Sequence, residues 1–376
     1  MSFYEMQRRL CACHYLAALA KIVRRGIRCA YFYAGEKEGE ALGAVKQLES
    51  AGLRVVCLVT LQAVVGRPPA QLHVVRLADV EREGLDADVV LLERGSWQQA
   101  FARFFERHGA AVLLLTDAAA ALQRYRALAA HLPLLCEVER VLFDAASRRA
   151  FRAALLGYAT ARLAHYRFAD EAMYMLDGFL PAAGAVVFDG GACDGGTASL
   201  FAARGARVHA FEMAAQNFAR LQEAAHRHGF RAVPCGLWSK PCEMRYLAAG
   251  AASHASAGGG ESARFTTLDA YAKEQGIARV GYIKLNIEGA ELAALDGAAG
   301  IIRRDKPLLA IAVSHRTEHL WQIAARLKAL RPDYELAFRH YESEAQWLGA
   351  REKAQLLDAG LAARIPGDWD MVLYAR

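Results

Sequence analysis

The sequence lacks the features that would direct it to nucleic acids, into a membrane or out of the cell. Its formal net charge is only +6, and no basic run longer than two residues is flanked by aromatic side chains, so nucleic-acid binding is not expected. No uncharged apolar run is long enough to span a membrane. His14 and Lys21 interrupt the apolar segment near the N-terminus, unlike a signal peptide. We therefore predict a cytoplasmic protein with no membrane span.

Cysteines are present, but they form no disulfide or metal pattern. The eight cysteines are scattered along the chain, with no C-x-x-C pair and no histidine at metal-ligand spacing. Reduced thiols of a cytosolic protein explain this distribution, and we predict no metal site.

The length and the segment pattern predict two α/β domains. A chain of 376 residues can bury two separate cores. In the first part, short apolar runs alternate with helical patterns, which is typical of a small, Rossmann-like parallel α/β domain over residues 1–132. The predicted strands are Cys29–Tyr33, Arg54–Thr60, Val74–Arg76, Val89–Leu92 and Ala111–Leu115. Residues 133–182 are predicted to form a helical linker, followed by a second domain over residues 183–376.

The first turn of the N-terminal domain does not favour a nucleotide site. The segment YAGEKEGEA, residues 33–41, places Glu36, Glu38 and Glu40 where a phosphate would lie. Negative side chains there would repel the ligand. We expect this domain to act as a scaffold or to dock substrate.

The segment AVVFDGGACDGG, residues 185–196, predicts a ligand-binding loop. Four apolar residues run into an acid and a glycine-rich turn, as in a buried parallel strand that ends at a ligand. Glycine lets the backbone turn sharply and lets a ligand approach closely. The loop residues predicted to bind the cofactor are Asp189, Gly190, Gly191, Ala192, Cys193 and Gly195.

The acids at two strand ends favour S-adenosylmethionine over a dinucleotide. Asp189 would repel a pyrophosphate but suits the ammonium and sulfonium groups of S-adenosylmethionine. Glu212 follows the next strand, about 20 residues on, where an acid accepts hydrogen bonds from ribose hydroxyls. An NAD-dependent oxidoreductase is therefore disfavoured.

From about residue 168 to residue 376, the chain resembles the FkbM-type methyltransferase family. The resemblance lies in DGGACDG, in FTTLDAYAKEQGIARVGYIKLNIEGAELAALDGA (residues 265–298), and in VSHRTEHLW, YELAFRHY and DMVLYA, in that order. It implies a class I methyltransferase-like, doubly wound seven-stranded sheet that uses S-adenosylmethionine to methylate small molecules or glycans. Family members usually carry an aspartate at Asn286, so metal or substrate binding by that side chain is expected to be weaker here.

Side chains at the carboxyl ends of the strands should meet in one crevice. Besides the loop, the cofactor residues predicted there are Glu212, Met213, Cys235, Gly236, Leu237 and Asn286. Leu237 or its neighbour Trp238 is expected to lie against the adenine ring, and a buried core position for Trp238 is an equal alternative.

The predicted catalytic residues are His315, Glu288 and Lys284. A hydroxyl nucleophile needs a base, and His315 is the first candidate because an ordinary imidazole is largely neutral at cytosolic pH. Glu288 and Glu291 compete for this role, although Glu291 could instead accept hydrogen bonds from free N–H groups near a helix start. Lys284 could neutralise an anionic substrate or pair with Glu288, and the ion pair is favoured.

The function predicted from these residues is S-adenosylmethionine-dependent methyl transfer to a hydroxyl of a small molecule or glycan. The alternative is a catalytically inactive scaffold that binds the cofactor or a sugar. A homo-oligomer is compatible with the sequence. The Gly-, Ser- and Ala-rich segment at residues 249–264 is expected to be a solvent loop or a lid over the site.

Overall fold

The computed structural model describes residues 15–33, 38–60, 72–92, 98–115, 118–160, 165–344 and 366–376. The chain divides into two compact units. The first comprises Met1–Pro133, Arg152–Phe168 and Glu342–Trp369, and the second comprises Leu134–Phe151, Ala169–Tyr341 and Asp370–Arg376.

The first unit is built on a five-stranded parallel sheet. Its strands, β1 to β5, lie in the order β3-β2-β1-β4-β5, as expected for a Rossmann-like domain. Their bounds are Arg28–Tyr33, Arg54–Thr60, His73–Arg76, Val89–Leu92 and Ala111–Leu114. Residues 34–37 of the acidic first turn lie outside the described residues.

The second unit contains the seven-stranded sheet that the resemblance implies. The strand order is β15-β16-β14-β13-β6-β7-β8, with β16 antiparallel to β14. The bounds are Val186–Gly190 for β6, Arg207–Phe211 for β7, Arg231–Val233 for β8, Tyr282–Leu285 for β13, Leu308–Ala312 for β14, Leu336–Glu344 for β15 and Pro366–Ala375 for β16. The predicted α/β fold class is therefore confirmed for both sheets.

A second, smaller sheet follows β8. Its strands are β9 (Gly236–Leu237), β10 (Cys242–Leu247), β11 (His254–Ala255) and β12 (Glu261–Thr266), in the order β11-β10-β12-β9. Part of the segment expected to be a loop or lid, namely His254–Ala255 and residues 261–264, is therefore paired with β10. Gly259 explains part of this difference, since a Cβ at that position would collide with the backbone of Tyr246.

Helices connect the strands in both units. In chain order they are α1 (Tyr15–Arg25), α2 (Glu38–Ser50), α3 (Val80–Glu83), α4 (Gln98–Arg107), α5 (Ala118–Ala130), α6 (Leu132–Val141), α7 (Ala145–Thr160), α8 (Gly196–Ala203), α9 (Ala215–His228), α10 (Leu268–Glu274), α11 (Glu291–Asp296), α12 (Ala299–Asp305) and α13 (His319–Leu330).

The central strands of the larger sheet carry two charges into its core. Every residue of β6 and β13 is buried, which explains why both read as near-continuous apolar runs. Asp189 in β6 and Lys284 in β13 are the exceptions, and the parallel pairing sets them opposite each other. They lie at the strand ends, beneath the site described next.

Candidate active site

A cavity opens at the carboxyl ends of β6, β7 and β13. Most of the predicted cofactor residues line it, namely Gly191, Cys193, Glu212, Met213, Cys235, Gly236, Leu237 and Asn286, together with the predicted catalytic residue Glu288. Asp189, Gly190, Ala192, Gly195, Lys284 and His315 are not among its lining residues.

The glycine loop, residues 190–195, has its backbone fixed by neighbouring strands. The N–H groups of Gly191 and Ala192 both donate to Phe211 O at 3.0 Å. Gly191 has a φ of +73°, and a Cβ there would collide with the backbone oxygen of Asn286. Only glycine adopts this conformation easily and fits this space. Gly191 also belongs to the cavity lining.

Asp189 differs most from its expected role. Its carboxylate is fully buried, and its Oδ1 lies 2.9 Å from Lys284 Nζ. Burial raises the pKa of Asp189, while the ammonium of Lys284 opposes this rise. The negative charge expected to face the cofactor is thus directed to a lysine beneath the loop.

Lys284 is equally enclosed and does not pair with Glu288. Its side chain is 3% exposed, and besides Asp189 it contacts the carbonyl oxygens of Gly190 at 3.1 Å and Gly191 at 2.9 Å. In this position it reaches neither the cavity nor an anionic substrate.

Glu212 lies on the cavity wall at the end of β7, as predicted. One oxygen accepts the N–H of Cys193 at 3.0 Å and the other accepts that of Ala214 at 2.8 Å. Burial raises its pKa, and these backbone N–H groups oppose the rise. Each carboxylate oxygen has more than one lone pair, so Glu212 can still accept hydrogen bonds from a ligand.

Asn286 joins the cavity to the C-terminal strand. Its Nδ2 donates to Asp370 Oδ2 at 3.4 Å, and Asp370 Oδ1 accepts the hydroxyl of Ser314 at 2.8 Å. Among the described residues, its buried Oδ1 has no hydrogen-bond partner. A buried acceptor of this kind is costly unless a ligand or water satisfies it.

His315 is held between two carboxylates. Its Nε2 lies 3.1 Å from Glu288 Oε1, and its Nδ1 lies 2.7 Å from Glu291 Oε1. Burial alone would lower the pKa of His315, but the hydrogen bonds and charges of the two glutamates outweigh it and raise the pKa to about 10. The imidazole is therefore protonated at neutral pH, unlike the neutral base expected from the sequence. Glu288, whose carboxylate it contacts, is the predicted base that lines the cavity.

Glu291 anchors the loop that carries Glu288. Its Oε1 accepts the N–H of Ile287 at 2.8 Å and that of Gly289 at 3.4 Å, and its Oε2 lies 3.3 Å from His319 Nδ1. Burial would raise the pKa of Glu291, but its contacts with His315 and His319 lower it well below the ordinary value. Glu288 and Gly289 have φ values of +55° and +98°, so these contacts hold a conformation that is otherwise unfavourable for Glu288.

Several cavity residues were not predicted from the sequence. Ala255 and Phe265 come from the small sheet, Ser253 immediately precedes β11, and Asn217 comes from α9. Their segment resembles a solvent loop in composition, so no residue pattern marks it as part of a site. Leu237 lines the cavity, whereas Trp238 is absent from its lining and packs against Phe265 with ring centroids 6.3 Å apart.

Three further observations concern membrane spans, metal ligands and cysteines. Within the described ranges, no helix is long and apolar enough to cross a membrane. The same part of the chain contains no group of three or more His, Cys, Asp or Glu side chains arranged to hold a metal ion. The six described cysteines, Cys29, Cys57, Cys136, Cys193, Cys235 and Cys242, are free thiols.

Comparison with solved structures supports the fold. The chain is similar to the methyltransferase FkbM from Methylobacillus flagellatus KT, with 19% identity, a TM-score of 0.66, and coverage of 100% of this chain and 98% of that one. A precorrin 8w decarboxylase from Methanobacterium thermoautotrophicum matches 52% of this chain and 83% of its own, with 14% identity and a TM-score of 0.33. A precorrin-6y C5,15-methyltransferase from Geobacter metallireducens GS-15 matches 52% and 82%, with 8% identity and a TM-score of 0.32. Scores this low add nothing to the assignment.

Comparison of the sequence with family models finds a match within the second unit. No curated protein matches the chain. The model of the methyltransferase FkbM domain matches residues 189–340, from the acid of the glycine loop to β15. The chain therefore contains a methyltransferase FkbM domain, which spans residues 189–340.

Proposed function

We propose that this protein transfers a methyl group from S-adenosylmethionine to a hydroxyl group of a small molecule or glycan. The observation that carries the proposal is the charge of the cavity. Glu212 and Glu288 line it, and none of its described lining residues is Lys or Arg. A ligand with an ammonium and a sulfonium group suits such a wall, whereas a pyrophosphate would be repelled.

The residues on the cavity wall fit an adenosyl ligand. Glu212 can accept hydrogen bonds from ribose hydroxyls, and Leu237 offers an apolar surface to a base. Asn286 Oδ1 can accept a hydrogen bond that no described residue supplies, and Gly191, which has no side chain, lines the same cavity. When bound, S-adenosylmethionine supplies an electrophilic methyl group.

We assign Glu288 as the base that accepts the proton of the substrate hydroxyl. A hydroxyl becomes a better nucleophile as its proton is removed, and a base must lie within hydrogen-bond reach. Glu288 lines the cavity and is oriented by His315. His315 already carries the proton that a base would have to accept. Its contribution is to orient Glu288 and to balance its charge.

The rest of the chain has a supporting role in this proposal. Residues 1–132 would form a domain that positions substrate or a partner, joined to the catalytic domain at residues 183–376 through residues 133–182, where the described helices end at Thr160. The free thiols agree with a protein that works in the reducing cytoplasm.

Two measurements test the proposal. Calorimetry should show saturable binding of S-adenosylhomocysteine and none of NAD. The full chain, incubated with methyl-labelled S-adenosylmethionine and cell-lysate fractions, should then label a hydroxyl-bearing small molecule or glycan. NAD binding without S-adenosylhomocysteine binding would refute the cofactor assignment. Cofactor binding without label transfer to any fraction would favour the inactive scaffold.

A further inference from the structure

The ammonium of Lys284 is surrounded by acceptors beneath the glycine loop. It donates to Gly190 O at 3.1 Å and to Gly191 O at 2.9 Å, and it forms an ion pair with Asp189 Oδ1 at 2.9 Å. The ring of Tyr174 closes this pocket, with Nζ 5.5 Å from its centroid, a distance at which a cation–π contact is favourable.

This pair is costly to bury and is not needed for the packing of the core alone. Desolvating two charges costs several kcal/mol per ion, and a well-packed apolar pair of similar volume is often as stable or more stable. The additional partners of Lys284 are both carbonyl groups of the glycine loop. Among the described residues, Gly191 O accepts no other hydrogen bond, whereas Gly190 O also accepts the N–H of Asn286 at 3.1 Å.

The contacts of Lys284 orient the backbone of the glycine loop. Its two hydrogen bonds hold the carbonyl groups of Gly190 and Gly191 on the side of the sheet. The following N–H groups then reach Phe211 O and the carboxylate of Glu212. One face of the loop is thereby tied to the sheet, and Gly191 and Cys193 remain on the cavity wall.

We infer that Lys284 is a positioning residue for the cofactor, and that Asp189 acts on cofactor binding through Lys284 instead of touching the ligand. This inference rests on the proposed function, because it concerns the same cavity. It assigns the acid of the glycine loop an indirect role. It also removes Lys284 from direct contact with substrate.

A double-mutant cycle tests the inference. The variants Asp189→Asn, Lys284→Met and the combined variant are compared with the wild type for binding of S-adenosylhomocysteine by calorimetry. We expect each to lose affinity about tenfold or more, and the combined variant to lose no more than either single variant. If Asp189 touched the ligand directly, Asp189→Asn would cause the same loss in both backgrounds. Additive losses, or an unchanged affinity in the combined variant, would overturn the inference.

Amide hydrogen exchange without ligand gives a second readout. If a single variant fails to fold, the combined variant still tests the inference, because it retains no unpaired buried charge. In that variant the N–H groups of Ala192 and Cys193 should exchange faster than in the wild type, because the loop has lost its anchor. Wild-type exchange rates there would contradict a positioning role.

A matched control and the wild type separate this test from that of the proposed function. Lys306 Nζ lies 3.0 Å from Asp333 Oδ2 and donates to the backbone oxygen of Asp333 at 3.3 Å. This ion pair lies at an exposed site. Lys306→Met should leave both ligand affinity and loop exchange unchanged. Wild-type protein that binds no S-adenosylhomocysteine would refute the proposed function, while the exchange measurement would still judge whether Lys284 holds the loop.

Discussion

Glu288 and His315 show how a neighbouring residue changes the chemistry of a side chain. From sequence alone, a histidine at a strand end reads as a neutral base. Between Glu288 and Glu291 it becomes a cation, because two carboxylates favour its charged form more than burial disfavours it. The base of the proposed reaction is therefore the carboxylate beside it.

Replacing Glu288 should affect turnover far more than cofactor binding. Glu288→Gln retains the size and a hydrogen-bond acceptor but cannot accept the substrate proton. We expect the methylation rate of the labelled substrate to fall roughly 10²-fold or more, with S-adenosylhomocysteine affinity within about threefold of wild type. Single-turnover kinetics and calorimetry measure the two effects. Glu318→Gln, at an exposed carboxylate, is the control, and equal losses in rate and affinity would assign Glu288 to cofactor binding instead.

The raised pKa of His315 predicts a pH dependence of stability. A histidine whose pKa is higher in the folded than in the unfolded state stabilises the fold fully below its ordinary pKa of 6.5. That contribution is lost as pH rises toward the folded value of about 10. The free energy of unfolding of wild type should therefore exceed that of His315→Gln most at pH 6 and least at pH 10, as measured by denaturant titration.

The buried histidine His209 is the control for this measurement. It contacts the Tyr271 hydroxyl at 2.9 Å, and burial lowers its pKa to about 4. The difference between wild type and His209→Gln should not shrink between pH 6 and pH 10. A constant difference for His315→Gln as well would mean that His315 is neutral in the folded protein.

At the scale of strands and loops, the sequence predicted where the elements lie along the chain better than it predicted which residues contact each other. Buried apolar runs that end at a glycine-rich turn, at Glu212 or at Asn286 located β6, β7 and β13, and so the cavity. The sequence could not show that Asp189 faces Lys284, because this depends on the register between β6 and β13, which are about 95 residues apart in the chain. Nor could it show that a Gly- and Ser-rich segment forms β11, since pairing with β10 overrides its composition.

The glycine loop offers a steric test at this scale. Gly191 and Gly229 both have a φ of +73°, but only a Cβ at Gly191 would collide with a neighbour, the backbone of Asn286. Both alanine variants should lose about 1–2 kcal/mol of stability from the left-handed backbone. Gly191→Ala should in addition lose S-adenosylhomocysteine affinity about tenfold or more by calorimetry, because the loop must move. Equal affinities of the two variants would show that the loop is not part of the cofactor site.

On the scale of the whole molecule, the two units differ in how much they reveal about function. The first sheet is parallel, as its alternating pattern predicted, yet no motif identified in this unit points to a ligand. The second unit carries the matched domain, the cavity and all the predicted site residues. The fold could therefore be predicted for both units, but a candidate site could be predicted only for the second. The reason is that an α/β framework fixes the architecture without specifying the chemistry.

Cofactor binding should stabilise the second unit alone. At a free concentration of about 100 times its Kd, a ligand that binds only the folded state adds about 2.7 kcal/mol of stability. With S-adenosylhomocysteine, amide hydrogen exchange of the full chain should slow around Gly191, Glu212, Leu237 and Glu288, the elements that line the cavity. Exchange in β1 to β5 should not change, since no residue of these strands lines the cavity among the described residues. Equal slowing in β1 to β5 would place a second ligand-responsive site in the first unit and contradict the assignment of cofactor binding to the second.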